Sequence, residues 1–309
     1  MANTLLATLT AVFLVTLTQP KFAYADAASD AAACDALAAS PKDIQRPSTV
    51  PGVPFADVKA EPAIAACEVA LKSNPENARI QFEMGRALDV GGKEPERRNQ
   101  LYKAAADKGH FGAMNNYGVS VYDANGDSPS LKTAAPFFCS AAAGGLVNAY
   151  VNCGYAHEHG AGVSKDLVLA NDFYKRAAEA GDLVGMNNLG EDLIKGYGIK
   201  QDVVAGQAWL HKSIDGGDQT APTTLAEAYD RGTEIPYDAT KAAEYYLMGM
   251  KRDDSQAKTS LIEKSGTGVK PATLDAIQAQ LKSEGKTFEA SAGKLSPAVI
   301  AILKDYPKK

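Results

Sequence analysis

The chain has 309 residues, 45% hydrophobic and 22% charged, a balance that excludes a disordered polymer and leaves material for one long core or two short ones. Its 32 basic and 37 acidic side chains give a net charge of -5, the wrong sign for a general nucleic-acid binder and too small to demand a special ionic partner.

Residues 1–25, "MANTLLATLTAVFLVTLTQPKFAYA", carry an uncharged stretch from Leu5 to Thr18 and the small-x-small triplet Ala23-Tyr24-Ala25. This reads as a secretory signal peptide, its apolar stretch being shorter than the roughly 20 residues that span a bilayer. A retained anchor is the alternative. No later segment is apolar enough to cross a membrane, so the chain from Asp26 is expected in the periplasm or secreted. Its four cysteines, Cys34, Cys67, Cys139 and Cys153, are an even number in a chain read as exported, which makes disulfides the default. Sequence neighbourhood favours Cys34 with Cys67 and Cys139 with Cys153, each loop contributing roughly 3 to 4 kcal/mol on the chain-entropy account. Four buried thiols are the other possibility.

From residue 74 to 253 the sequence repeats. "GAMNNYG" at 112–118 returns as "VGMNNLG" at 184–190, and "NAYVNCG" at 148–154 stands between them, so the period is 36. One column holds the large residues Tyr102, Phe138, Tyr174, Leu210 and Tyr246; another holds Gly109, Gly145, Gly181 and Gly217. Within the third copy, 183–196 reads as a helix, 197–202 as a connector and 203–217 as a second helix ending on a glycine pair suited to a left-handed terminus. Strands are not required. A further column, Gly118, Gly154 and Gly190, with Gly85 before and Ala226 after, falls inside the first helices, where glycine costs about 1 kcal/mol relative to alanine. The expected cause is a close helix crossing, with Ala105, Ala141, Ala177 and Ser213 as the small residues opposite.

The units at 152–181 and 188–217 resemble the Sel-one-like repeat (SLR), a longer-looped relative of the tetratricopeptide repeat, and 74–92 looks like an ordinary tetratricopeptide unit. Residues 111–146 and 219–253 match less well, the former lacking the "GxGV" loop. The resemblance implies an all-α, right-handed superhelical solenoid of about five helix pairs, its inner wall lined by the first helix of each unit. Residues 26–73 are read as an N-terminal cap, and 34–71 within them are similar to the lead-in of exported alphaproteobacterial repeat proteins. Prolines 41, 47, 51 and 54 make the middle of this cap an extended loop, and Cys34 and Cys67 would staple the helices on either side. Residues 254–309 are read as a helical C-terminal cap. Alternatively, Ile277, Gln278, Leu281, Gly285, Gly293, Pro297 and Ala301 give this end a similarity to the peptidoglycan-binding helical repeat, although Ala292 and Ser296 depart from its pattern.

Chemistry-bearing constellations are sparse. His157 and His159 are spaced i, i+2, which splays the rings, and zinc helices use i, i+4 or CxxC spacing, neither of which is found here. No P-loop, nucleophile elbow, metal site or cofactor site is read from the sequence, and a non-catalytic chain is expected. What remains is a surface. Asn116, Asn152 and Asn188 match the place where peptide-clamping tetratricopeptide domains put an asparagine, although tying one repeat to the next would explain them equally. Glu158, Glu191, Glu227 and Asp230 lie just beyond, either as an acidic inner face or as a solvated charge row. The expectation is a scaffold or regulator that binds a peptide or protein partner in the periplasm, with peptidoglycan binding as the alternative.

Overall fold

The computed structural model describes residues 27–123, 128–251 and 270–283, so the expected leader at 1–25 and the expected last helix near 296–306 lie outside the described residues. Among those described, the chain forms thirteen α-helices, one short 3-10 turn at Phe55–Asp57 and no strand. The lead-in supplies α1 (Ala27–Ala38) and α2 (Ala60–Ser73). Five hairpins follow: α3 (Ala78–Gly91) with α4 (Pro95–Asp107), α5 (Phe111–Asp123) with α6 (Ser128–Ala143), α7 (Val147–His159) with α8 (Leu167–Glu179), α9 (Leu183–Lys195) with α10 (Val203–Asp215), and α11 (Ala221–Arg231) with α12 (Ala239–Lys251). Helix α13 (Pro271–Ser283) closes the series. None of these helices is long and apolar enough to cross a membrane.

Start and stop signals recur with the period. Asp166, Asp182 and Asp202 cap α8, α9 and α10, their carboxylates accepting backbone N–H groups at 2.9–3.0 Å, a contact generally worth about 1 kcal/mol. At the other end, the N–H groups of His110, Leu146, Asp182 and Asp218 donate back to the carbonyls of Ala105, Ala141, Ala177 and Ser213 at 2.9–3.1 Å. That closure requires a left-handed residue, and Gly109, Gly145, Gly181 and Gly217 supply it with φ between +86° and +95°.

Each helix packs mainly on its neighbours in the chain, the contact pattern of a solenoid. First helices of successive hairpins also touch, α7 with α9 and α9 with α11, whereas contacts between second helices are weaker or absent. From α7 to α12 the first helices therefore lie on the inner side of the bend.

The interior glycines sit where nesting is tightest, but their partners differ from the sequence expectation. A Cβ added at Gly85, Gly118, Gly154 or Gly190 would meet Tyr102, Phe138, Tyr174 or Leu210 at 2.5–2.8 Å. The glycine column therefore faces the large column of the same hairpin, not the alanines and serine. Those smaller residues serve other contacts: Ala177 abuts Gly185 on the next first helix, and the Ser213 hydroxyl donates to the Leu183 carbonyl at 2.8 Å. A large side chain set directly against a glycine lets the paired helices approach closely.

Both expected cystines are present, Cys34–Cys67 between α1 and α2 and Cys139–Cys153 between α6 and α7, with Cα separations of 4.6 and 4.8 Å. Helices α1 and α2 cover α3, but the proline-rich loop between them does more than cap one end. Arg86 of α3, only 3% exposed, donates to the carbonyls of Ala38 and Val53 and so gathers both mouths of the loop. Farther out, the Gln45 amide donates to the Gly109 carbonyl at 3.2 Å and accepts from the Phe111 N–H at 2.6 Å, capping α5. Asp43 is buried 3.4 Å from His110. Burial pushes its carboxyl up, and the His110 hydrogen bond and charge outweigh that and hold it below its ordinary value.

At the far end, α13 packs on α12. Its start is held by Asp230 of α11, which accepts from the Lys270 N–H and the Thr273 hydroxyl.

Candidate functional site

The inner face of the first hairpins carries a groove of about 540 Å³. Phe82, Arg86 and Asp89 of α3, Asn115, Asn116 and Val119 of α5 and Asn148 of α7 form its floor. The loop residues Lys42, Asp43 and Phe55 form the opposite wall. A second hollow of about 410 Å³ shares Asp89, Asn116 and Val119 and adds Arg98 and Tyr102, so Asn116 stands on the ridge between the two. Helical phase explains the grouping: 115 and 116 each stand three or four residues from both 112 and 119, so the four share one face of α5. The surface mixes amides, opposite charges and apolar area, with Phe55 51% and Val119 36% exposed. Arg98 pairs with Asp89 at 2.6 Å, which fixes that carboxylate at the edge of the groove.

The sequence-predicted residues do not form one continuous row. Asn116 lines the groove, half-buried, and borders the second hollow beside Tyr102. The Asn152 amide donates to Asn115 at 3.2 Å, a tie between α7 and α5. Asn188 is half-buried on α9, away from this groove. Glu158 accepts from the Tyr174 hydroxyl at 2.6 Å, and Glu191 pairs with Lys195 one turn along α9. Asp230, 3% exposed, faces inward on α13, while Glu227 lies half-buried near Tyr246, whose hydroxyl is held protonated by burial first and by Glu227 and Asp230 next.

Several residues of this surface were not singled out from the sequence. Asn115 and Asn187 are the first members of the doublets in "GAMNNYG" and "VGMNNLG", a signal in plain view. Asp192 is 7% exposed beside Glu158 and Glu191, and its carboxyl is pushed up to about 7, by burial foremost and then by those two charges. Arg86, Asp89 and Asn148 have no columnar signal, because the groove is built where the repeat meets the lead-in.

Comparison with known proteins agrees with this architecture. The family model for the Sel1 repeat matches residues 147–182, 183–218 and 225–254. A Sel1 repeat protein from Oxalobacter formigenes is 27% identical, with 71% of this chain and 95% of that one covered and a TM-score of 0.50. The c5321 protein, a protective antigen present in uropathogenic Escherichia coli strains and displaying an SLR fold, is 19% identical. The match covers 75% of this chain and 51% of c5321, with a TM-score of 0.51, a likeness of fold alone. No match is found among curated proteins. With its matched units falling on the hairpins α7–α8, α9–α10 and α11–α12, the chain carries Sel1 repeats in an SLR-type helical solenoid.

Proposed function

We propose that the chain is a non-catalytic, exported interaction scaffold that holds an extended peptide or protein segment in the groove formed by its first helices and the lead-in loop. The observation that carries this reading is the half-exposed Asn116 amide on the groove floor, flanked by Asn148, by Arg86 and Asp89, and by the exposed apolar surfaces of Val119 and Phe55. A primary amide donates to a peptide carbonyl and accepts from a peptide N–H without reading side chains, while apolar patches beside it select the residues between. Two cystines suit an oxidising compartment such as the Gram-negative periplasm, and a cleavable leader at 1–25 would deliver the chain there.

The test is site-specific photo-crosslinking in the periplasm. A photoreactive side chain at Val119, in the groove, is expected to trap a discrete partner, whereas one at Val204, 79% exposed on α10, is not. Replacing Asn116, Asn152 and Asn188 together by alanine is expected to weaken the Val119 adduct with helicity retained. Equal adducts from both positions, or an adduct indifferent to the triple substitution, would refute the groove as the binding face.

A further inference from the structure

The cystine joining α6 to α7 has a histidine beside it. Cys139 Sγ, Cys153 Sγ and a ring nitrogen of His157 all lie within 4.8 Å of one another, with Cys153 buried and the other two half-exposed. Cys153 and His157 are spaced i, i+4 on α7, so both side chains leave the same face of that helix, and Cys139 meets them from α6. The sequence reading, which found no i, i+4 or CxxC zinc spacing, therefore overlooked a mixed cysteine–histidine pair.

The ring is already set in a ligating form. His157 Nδ1 lies 3.0 Å from the Ser164 carbonyl. A carbonyl offers only lone pairs, so Nδ1 is the donor in this contact, and the neutral ring with that tautomer presents its Nε2 lone pair to a metal. Phe173 stacks on the same ring, with centroids 6.0 Å apart and planes 15° from parallel, and limits its rotation. Downstream, the Asp166 N–H donates to the His157 carbonyl at 2.9 Å, tying the far end of the Ser164 loop to the histidine it serves.

The other cystine has a comparable neighbour, since Cys34, Cys67 and Glu83 also lie within 4.8 Å of one another. All three are buried there, and burial, followed by the charge of Asp35, pushes the Glu83 carboxyl up to about 9. A protonated, inaccessible acid is a poor ligand. The α6–α7 junction differs in offering an imidazole in place of the acid and in having two half-exposed members.

We infer that reduction of Cys139–Cys153 turns this junction into a Cys2His site for a zinc-like divalent cation, with water as the fourth ligand. A dithiol reductant supplies two electrons and two protons: the S–S bond breaks, two thiols form on the chain, and the reductant leaves as a cyclic disulfide. The cation then displaces both thiol protons to solvent and takes the His157 lone pair. With metal–sulfur bonds of about 2.3 Å in a tetrahedron, the two sulfurs stand about 3.8 Å apart. Rotation about the two Cα–Cβ bonds reaches that spacing while the Cα atoms stay near their present 4.8 Å. The second and third hairpins are thus cross-linked in either state, covalently when oxidised and through the ion when reduced.

The test uses the mature full chain, reduced with dithiothreitol, desalted without oxygen and titrated with Co²⁺. Reduced protein is expected to develop thiolate-to-cobalt charge-transfer absorption with one ion per chain, displaced by Zn²⁺, and oxidised protein to show none. His157→Ala is expected to weaken binding by at least the roughly 10- to 100-fold that even outer-shell partners contribute. Because that variant keeps both cysteine pairs, its behaviour separates this junction from Cys34 and Cys67. No thiolate band would overturn the proposal, as would a band of equal affinity in His157→Ala. Loss of the helical circular-dichroism signal on reduction would overturn it as well, since the ion would then be held by an unfolded polythiol.

Discussion

Alanine at Gly154 tests the nesting of the hairpins most directly. In an ordinary helix this change stabilises by about 1 kcal/mol, because alanine is the better helix former. Here the new Cβ would lie 2.7 Å from Cε1 of Tyr174, 2.9 Å from its Cδ1 and 3.1 Å from the Ala170 carbonyl oxygen. Tyr174 is fully buried and its hydroxyl is held by Glu158 at 2.6 Å, so the ring cannot swing aside without breaking that bond. Overpacking of this kind costs roughly 1 to 3 kcal/mol, so the helix-propensity gain is cancelled and the net effect is a loss of up to about 2 kcal/mol. For a chain of this size that corresponds to a fall of up to roughly 4 °C in melting temperature. Ala226 occupies the same column in the last hairpin and is fully buried, so Ala226→Gly is expected to destabilise as well, by about 1 kcal/mol. Opposite changes at equivalent positions thus push stability the same way. Pairing Gly154→Ala with Tyr174→Leu, the residue type found at Leu210, is expected to recover part of the first loss. Thermal and urea unfolding followed by circular dichroism measures all three variants. If Gly154→Ala raises the melting temperature, the helices do not approach to the depth described and the packing account fails.

Two further outcomes follow from the buried carboxylates. The Asp192 carboxyl lies at about 7 in the folded chain against an ordinary 3.8, so the native state keeps a proton that the unfolded chain loses between those values. Its stabilisation is complete below about pH 4 and disappears as pH rises through 7, a swing of at most about 4 kcal/mol. Asp192→Asn is therefore expected to flatten the fall in stability between pH 4 and 7, and an unchanged slope in urea titrations would contradict the assignment. Asp230→Ala removes the group that holds the start of α13, so amide exchange across 271–283 is expected to accelerate while α7 to α10 stay protected. Unaltered exchange would show that α13 is held by apolar contacts alone.

Much of the architecture was legible because repetition exposes phase. The columns at Tyr102, Phe138 and Tyr174 and at Gly118 and Gly154, with glycine pairs at the turns, place every hairpin between α3 and α12, and proximity in sequence sufficed for both cystines. Phase does not give depth, however. It marks Gly154 as facing a partner without revealing whether that partner is Ala177 or the ring of Tyr174, since both recur with the same step. The groove was less legible still. Asn116 stands out in a periodic column, but its neighbours Arg86, Asp89 and Phe55 meet only because a nonrepeating loop folds back over the array. Asp230 shows the same limit: in the sequence it looks like one more charge on an inner face, whereas a helix forty residues later claims it.

Stacked hairpins normally unzip from either end, one unit at a time, because each is gripped only by its neighbours. The segment between Ala38 and Val53 breaks that symmetry, since it is buckled at Arg86 and clasped by Gln45 to the start of α5, bypassing α4 altogether. Peeling away the first hairpin then means undoing a belt that also grips the second, so the N-terminal end yields as one block. Under mechanical load applied through both termini, the array would surrender its last hairpins before its first.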